Sequence, residues 1–115
     1  MDYYSILSKL NKSKFRSSFK LNEKDIGEIR KEDYGKIKYE IKEIFEKRIK
    51  VKLENDGKQT PFGKYFVFKA QHATATCCRK CIEKWHKIPE NKILDEIEMN
   101  YLTGLVEEWI RKQLQ

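Results

Sequence analysis

No stretch of this 115-residue sequence approaches the ~20 consecutive apolar residues of a membrane-spanning helix, so no membrane partner is expected. The stretch Met1–Leu10 carries Asp2 and has no long apolar run before a small-residue cleavage site, which argues against a secretory signal. Cysteine is scarce and odd in number, three residues with two adjacent, which makes a poor disulfide framework. Reduced thiols in a cytosolic, cytoplasmic setting are the simplest expectation. There is no internal repeat, linker or low-complexity tract, and no recognisable catalytic motif.

The length fits a single domain over residues 1–115, with a real but modest core. Apolar residues at 39% exclude general disorder, and charged residues at 37% require a densely charged surface. A net charge of +7 favours an anionic partner: nucleic acid, an acidic protein or a nucleotide. A lysine-rich coding bias would give the same composition without any partner. The charge is uneven. Residues 1–54 carry +5 (15 basic, 10 acidic), residues 55–92 carry +5 (8 basic, 3 acidic), and residues 93–115 carry −3 (2 basic, 5 acidic).

Apolar periodicity predicts a first helix over residues 3–12 (Tyr3, Ile6, Leu7, Leu10). Lys12–Lys20 follows without an acid, and Phe15 and Phe19 are spaced to share one face of a helical turn. Such aromatics among lysines serve either nucleic-acid contact or a core beneath solvated charges. Asn22 reads as an N-cap with Asp25 in the first turn of a helix over about 23–31. The clearest helix runs from Tyr34 to Arg48, with Ile37, Ile41, Ile44 and Phe45 on one face and paired opposite charges on the other. Asn55–Pro61 is turn chemistry throughout. Tyr65-Phe66-Val67-Phe68 then reads as a strand, with Val51–Leu53 as its partner. A helical stripe of Ala75, Cys78, Cys81, Ile82 and Trp85 predicts a helix over Thr74–His86, ended by Pro89. Asp95 with Glu98 reads as a capping arrangement for the last helix, where Gly104 marks a close contact. The expected fold class is α+β, mostly α-helical: four or five helices with a small β element preceding the Cys/His helix.

That segment, Gln71–His86, holds every cysteine and histidine of the chain. Zinc takes four ligands from thiolate sulfur and imidazole nitrogen. His72, Cys78, Cys81 and His86 supply two of each, with Cys77 spare or replacing Cys78. On a straight helix, however, His86 lies about 140° around the axis from Cys81. The set converges only if His72 precedes the helix and His86 sits at its frayed end, or if a donor such as Asp56 joins from elsewhere. Two other readings compete. The cysteines share their stripe with Ile82 and Trp85, and a free cysteine packs well in a core. Alternatively, Cys77 or Cys78 is a reactive thiol near a helix start, activated by Arg79, Lys80 and His72.

Three segments, Asn55-Asp56-Gly57-Lys58-Gln59-Thr60-Pro61, Ala70-Gln71-His72-Ala73-Thr74-Ala75-Thr76-Cys77-Cys78-Arg79 and Glu83-Lys84-Trp85-His86-Lys87-Ile88-Pro89, resemble domain-of-unknown-function family 4186, a bacterial and phage family. Lys14-Phe15-Arg16-Ser17-Ser18-Phe19 resembles its start. Members tend to carry Gly-His-Pro before the expected strand. This chain has Phe62-Gly63-Lys64-Tyr65, so no histidine there joins the site. The resemblance implies one functional unit built from the Asp56–Pro61 loop and Gln71–His86, and it implies no activity.

Three functions are compatible with these residues. The first is a zinc-stabilised nucleic-acid-binding module, with Lys58, Lys64, Lys69, Arg79, Lys80, Lys84 and Lys87 as the basic surround. The second is a small metal- or cysteine-dependent enzyme, with Cys77 or Cys78 as nucleophile, His72 as base or ligand, and Asp56, Lys58, Gln59 and Thr60 as polar loop groups. The third is a phage or host interaction protein that binds and modulates a partner enzyme.

Overall fold

The structure is a computed structural model that describes residues 3–115. Met1 and Asp2, which entered the reading of the N-terminus, lie outside the described residues. Among the described residues there are seven helices and no strand: α1 (Tyr4–Lys12), α2 (Lys14–Ser17), α3 (Glu23–Lys31), α4 (Tyr34–Arg48), α5 (Phe66–Ala73), α6 (Arg79–His86) and α7 (Glu96–Gln113). The expected α+β fold with four or five helices is therefore corrected to an all-helical one. Tyr65–Phe68 is the N-cap and first turn of α5, and Val51–Leu53 is irregular. Phe66, Val67, Ala70 and Gln71 are buried at helical spacing, a stripe that a four-residue aromatic run is too short to reveal. Burial against the core overrides the β-propensity of those four residues.

α7 is the central beam, packing on both α4 and α5. Ile37, Ile41 and Phe45 of α4 meet Phe66, Val67 and Ala70 of α5, Ile82 of α6, and Leu102, Val106 and Ile110 of α7 in one core. The solvent side of α4 carries the pair Lys47–Glu43, and Lys36–Glu32 and Lys50–Glu46 link its two ends to the residues just outside it. Such pairs contribute only a few tenths of a kcal/mol each. Both expected capping arrangements are present as full capping boxes, Asn22 with Asp25 on α3 and Asp95 with Glu98 on α7. Asp25 is buried and also pairs with Lys69 at 2.5 Å, tying α3 to α5. Gly104 is the point of close approach on α7: a Cβ there would fall 2.4 Å from the Tyr3 hydroxyl oxygen. That hydroxyl donates to the Tyr101 carbonyl at 2.9 Å. Among the described residues no helix is long and apolar enough to cross a membrane.

Candidate metal centre

The expected helix over Thr74–His86 is shortened at its start and begins only at Arg79. α5 stops at Ala73, and Ala75 takes a left-handed conformation (φ 57°) that reverses the chain. The reversal is pinned by the Thr76 amide donating to the Gln71 carbonyl at 2.8 Å and the Gln71 side-chain amide donating to the Thr76 carbonyl at 3.2 Å. Cys77 and Cys78 therefore precede the helix. Cys78 is the N-cap of α6, its sulfur accepting from the Cys81 amide at 3.4 Å. Cys81 lies in the first turn of α6.

All three Sγ atoms lie within 4.8 Å of one another, and Cys77, Cys78 and Cys81 are free thiols. A zinc–sulfur bond of about 2.3 Å gives about 3.8 Å between sulfurs in a tetrahedron, so a small closing movement brings the trio to bonding distance. Cys77 and Cys78 are buried, and Cys81 is half-buried. These three residues can hold a metal ion.

Arg16, from α2, completes the centre, a role that its place among the cations of Lys12–Lys20 does not disclose. It is buried, and its Nη2 donates to Cys81 Sγ at 3.1 Å while its Nη1 donates to Cys77 Sγ at 3.6 Å and to the His72 carbonyl at 2.9 Å. Burial opposes the guanidinium charge, but the hydrogen bonds to Cys77 and Cys81 outweigh it and hold Arg16 protonated. Hydrogen bonds from Cys77 and Cys78, then Arg16, pull the Cys81 thiol far below its ordinary value. Cys77 is pushed up, because it gives its hydrogen bonds to Cys78 and Cys81 and is buried. Negative charge thus collects on Cys81, over the N-terminus of α6 and against Arg16. One signal could have found Arg16. The chain has five arginines among its 25 basic residues, and an arginine set among lysines marks a position that needs a rigid planar donor. Arg16, Arg48 and Arg79 all donate to backbone carbonyls.

Both histidines lie outside the thiol group. His72 Nε2 faces the carbonyls of Thr60 (3.1 Å) and Pro61 (3.0 Å), so that nitrogen carries the proton. Its ring is sandwiched between Phe19 (5.1 Å) and Phe62 (4.5 Å), nearly parallel to both. His86 Nε2–H donates to the Thr74 carbonyl at 2.8 Å, and its Nδ1 faces the Tyr101 hydroxyl at 3.5 Å. The expected ligand set of His72, Cys78, Cys81 and His86 is therefore assembled only in its sulfurs, with Cys77 as the third.

Burial is the main cause that lowers the affinity of both imidazoles for a proton. The unfolded chain takes up these protons near pH 6.5 while the folded chain resists. Stability is therefore full above that pH and is lost as pH falls below it. The metal-free protein is expected to melt at a lower temperature at pH 5.5 than at pH 7.5, with a smaller difference in His86→Gln. Equal melting temperatures at the two pH values would contradict the assignment of buried, neutral histidines.

The Asp56–Pro61 loop does join the segment, as a clamp. Asp56 Oδ1 accepts from the Arg79 amide (3.0 Å) and from Gln59 Nε2 (3.0 Å), and Oδ2 accepts from the Lys80 amide (3.2 Å). It caps the first turn of the cysteine-bearing helix and stands apart from the sulfur group. Gln59 ties the loop to the Arg48 carbonyl at 3.3 Å, and the Thr60 hydroxyl donates to the Cys77 carbonyl at 2.8 Å. Asp56→Ala is expected to cost about 2 kcal/mol, the upper range for a lost cap, and Asp56→Asn less. A urea midpoint for Asp56→Ala equal to that of the wild type would show that the cap is not holding α6.

Of the residues expected on a basic surface, Lys58, Lys64, Lys80, Lys84 and Lys87 are exposed, and Lys69 is engaged with Asp25. Arg79 is corrected: it is fully buried, donating to the carbonyls of Lys50 (2.9 Å) and Pro89 (2.8 Å), and presents no charge to an outside ligand.

A family model described as "Domain of unknown function (DUF4186)" matches residues 4–111. No solved structure matches the chain.

Proposed function

The chain belongs to the DUF4186 family, and from its site we propose that it is a cytosolic, zinc-organised protein that binds nucleic acid. The observation that carries the zinc half is the group of Cys77, Cys78 and Cys81 beside Arg16. A divalent ion on three thiolates leaves one negative charge, and the single positive charge of Arg16 cancels it. Charges out of water need such a partner, and three bare thiols need none. Zinc accepts sulfur in this number and geometry, and water or a group from a bound molecule takes the fourth position. When bound there, zinc supplies a rigid anchor for the start of α6 and a Lewis-acidic open position. Unpaired thiols of this kind suit a reducing compartment.

The nucleic-acid half rests on charge placement. Residues 3–22 and 57–82 contain no acid and five basic residues each, and His72 stacking on Phe19 brings them together. Elemental analysis of the purified protein is expected to find one zinc per chain, none in Cys81→Ser, and an unchanged content in His86→Gln. Metal-free protein that takes up no zinc when supplied would overturn the centre. Loss of affinity for DNA and RNA at every salt concentration would overturn the partner.

One observation favours a second reading. The approach of Arg16 Nη2 to Cys81 Sγ at 3.1 Å also stabilises a bare thiolate, making Cys81 a nucleophile with Cys77 and Cys78 beside it. Fast alkylation of Cys81 in protein as purified, without bound metal, would favour this reading over zinc.

A further inference from the structure

The aromatic rings around His72 form more than a core edge. Phe62 is 66% exposed and Phe15 50% exposed, although both belong to an ordered group. Phe62 lies flat on His72 (4.5 Å, 13° between planes), and His72 lies flat on Phe19 (5.1 Å, 17°). Phe15 meets Phe19 edge-on at 5.2 Å and Phe62 edge-on at 6.4 Å. The His72 ring is fixed by the Thr60 and Pro61 carbonyls, so the ring above it is held in place. The stack therefore ends in an open aromatic ring supported from below.

The charged residues that flank these rings in the chain are all basic. Lys14 adjoins Phe15, Lys20 follows Phe19, and Lys64 lies two residues beyond Phe62, all three exposed. A cavity of about 340 Å³ opens beside Phe19, with Arg16, Lys20 and Lys112 in its wall together with Trp109, and no carboxylate.

We infer that the rings of Phe62 and Phe15, flanked by Lys14, Lys20 and Lys64, are a stacking platform for the unpaired bases of single-stranded nucleic acid. This rests on the nucleic-acid half of the proposed function and is independent of the metal. Lysines alone would suit any polyanion. A flat, pre-positioned, exposed ring adds a surface on which an accessible base face stacks. In a duplex those faces are covered by neighbouring pairs, so sequence-tolerant stacking on protein rings is a feature of unpaired strands. An anionic lipid surface offers no such face.

The test is fluorescence anisotropy of the full chain as purified with labelled 12-nucleotide oligo(dT) and oligo(U), and with a duplex of equal length, over a range of KCl concentrations. The single strands are expected to bind at least tenfold tighter than the duplex. Phe62→Ala is expected to weaken binding about tenfold or more without changing the dependence on salt, the loss typical of one stacked base. Lys14→Gln and Lys64→Gln are expected to lower the slope of log affinity against log salt by roughly one unit each. Phe62→Trp keeps the platform, and its added emission is expected to be quenched by oligo(dT). Because Phe62 is largely exposed, an unchanged circular dichroism spectrum of Phe62→Ala is the control for folding. Equal affinity for duplex and single strand, or wild-type affinity in Phe62→Ala, would overturn the platform while leaving the nucleic-acid reading standing. No binding to any of the three probes at low salt would overturn that reading itself.

Discussion

Arg79→Ala is expected to remove about 3–5 kcal/mol of stability, a large share of the ~5–15 kcal/mol typical of a domain. The side chain is fully buried, so its loss leaves a cavity inside the start of α6. The backbone loses more. Nη1 and Nη2 satisfy the carbonyls of Lys50 and Pro89, which lie beyond the ends of α4 and α6. The Lys50 carbonyl keeps the Leu94 amide as a donor at 3.1 Å, whereas the Pro89 carbonyl loses its guanidinium partner, at about 1–3 kcal/mol where water does not replace it. The guanidinium is a clamp across three chain segments. Burial weakens its hold on the proton, and the surrounding field of Asp56, Glu98, Glu90 and Glu83 works in the opposite direction. Arg79→Lys cannot span both carbonyls and is expected to recover less than half of the loss. Equilibrium urea unfolding checks this. A fall of under 1 kcal/mol in Arg79→Ala would show that the guanidinium does not clamp these segments.

The second large effect concerns the proposed zinc centre. With free zinc a thousandfold above its dissociation constant, bound metal adds about 4 kcal/mol to stability, and chelation removes the same amount. The sharper expectation is for Arg16→Gln, which leaves every thiol in place. Residues that steady metal ligands typically change affinity about 10–100-fold when lost, and Arg16 donates to two of the three sulfurs. Zinc affinity measured by competition with a chromophoric chelator is expected to fall by that factor. Arg16→Lys keeps the charge but not the fork, so it is expected to restore only part. Unchanged affinity in Arg16→Gln would remove the charge argument for zinc.

Some of the molecule was legible in the sequence, for local reasons. The Asn22/Asp25 and Asp95/Glu98 caps act within three residues, and both are present. The close contact at Gly104 follows from a small residue in an otherwise bulky helix face. The spacing of the cysteines pointed to a local cluster, and the three sulfurs do meet at one helix start, with Cys77 joining Cys78 and Cys81. Features set by remote partners were not legible. His72 and His86 look like ligands until the carbonyls of Thr60, Pro61 and Thr74 come within reach of their ring nitrogens. Arg79 carries the charge expected of a surface contact, but charge does not reveal depth. Phe66-Val67-Phe68 has strand composition, and only the burial of Ala70, Gln71 and Ala73 after it decides for a helix.

The contact between Arg16 and the thiols also sets an order of events. It joins residues 61 and 65 positions apart in the chain, from a four-residue helix that cannot persist by itself. Contacts that close so long a loop form late in folding, after local helices exist. On a ribosome the guanidinium emerges first, but it reaches the sulfurs only once the helix that supports them has docked. Until then Cys77, Cys78 and Cys81 are ordinary thiols, open to oxidants and to any soft ion. The centre is thus a late-closing feature that reports on the integrity of the whole chain, since any opening that frees α2 uncovers it first.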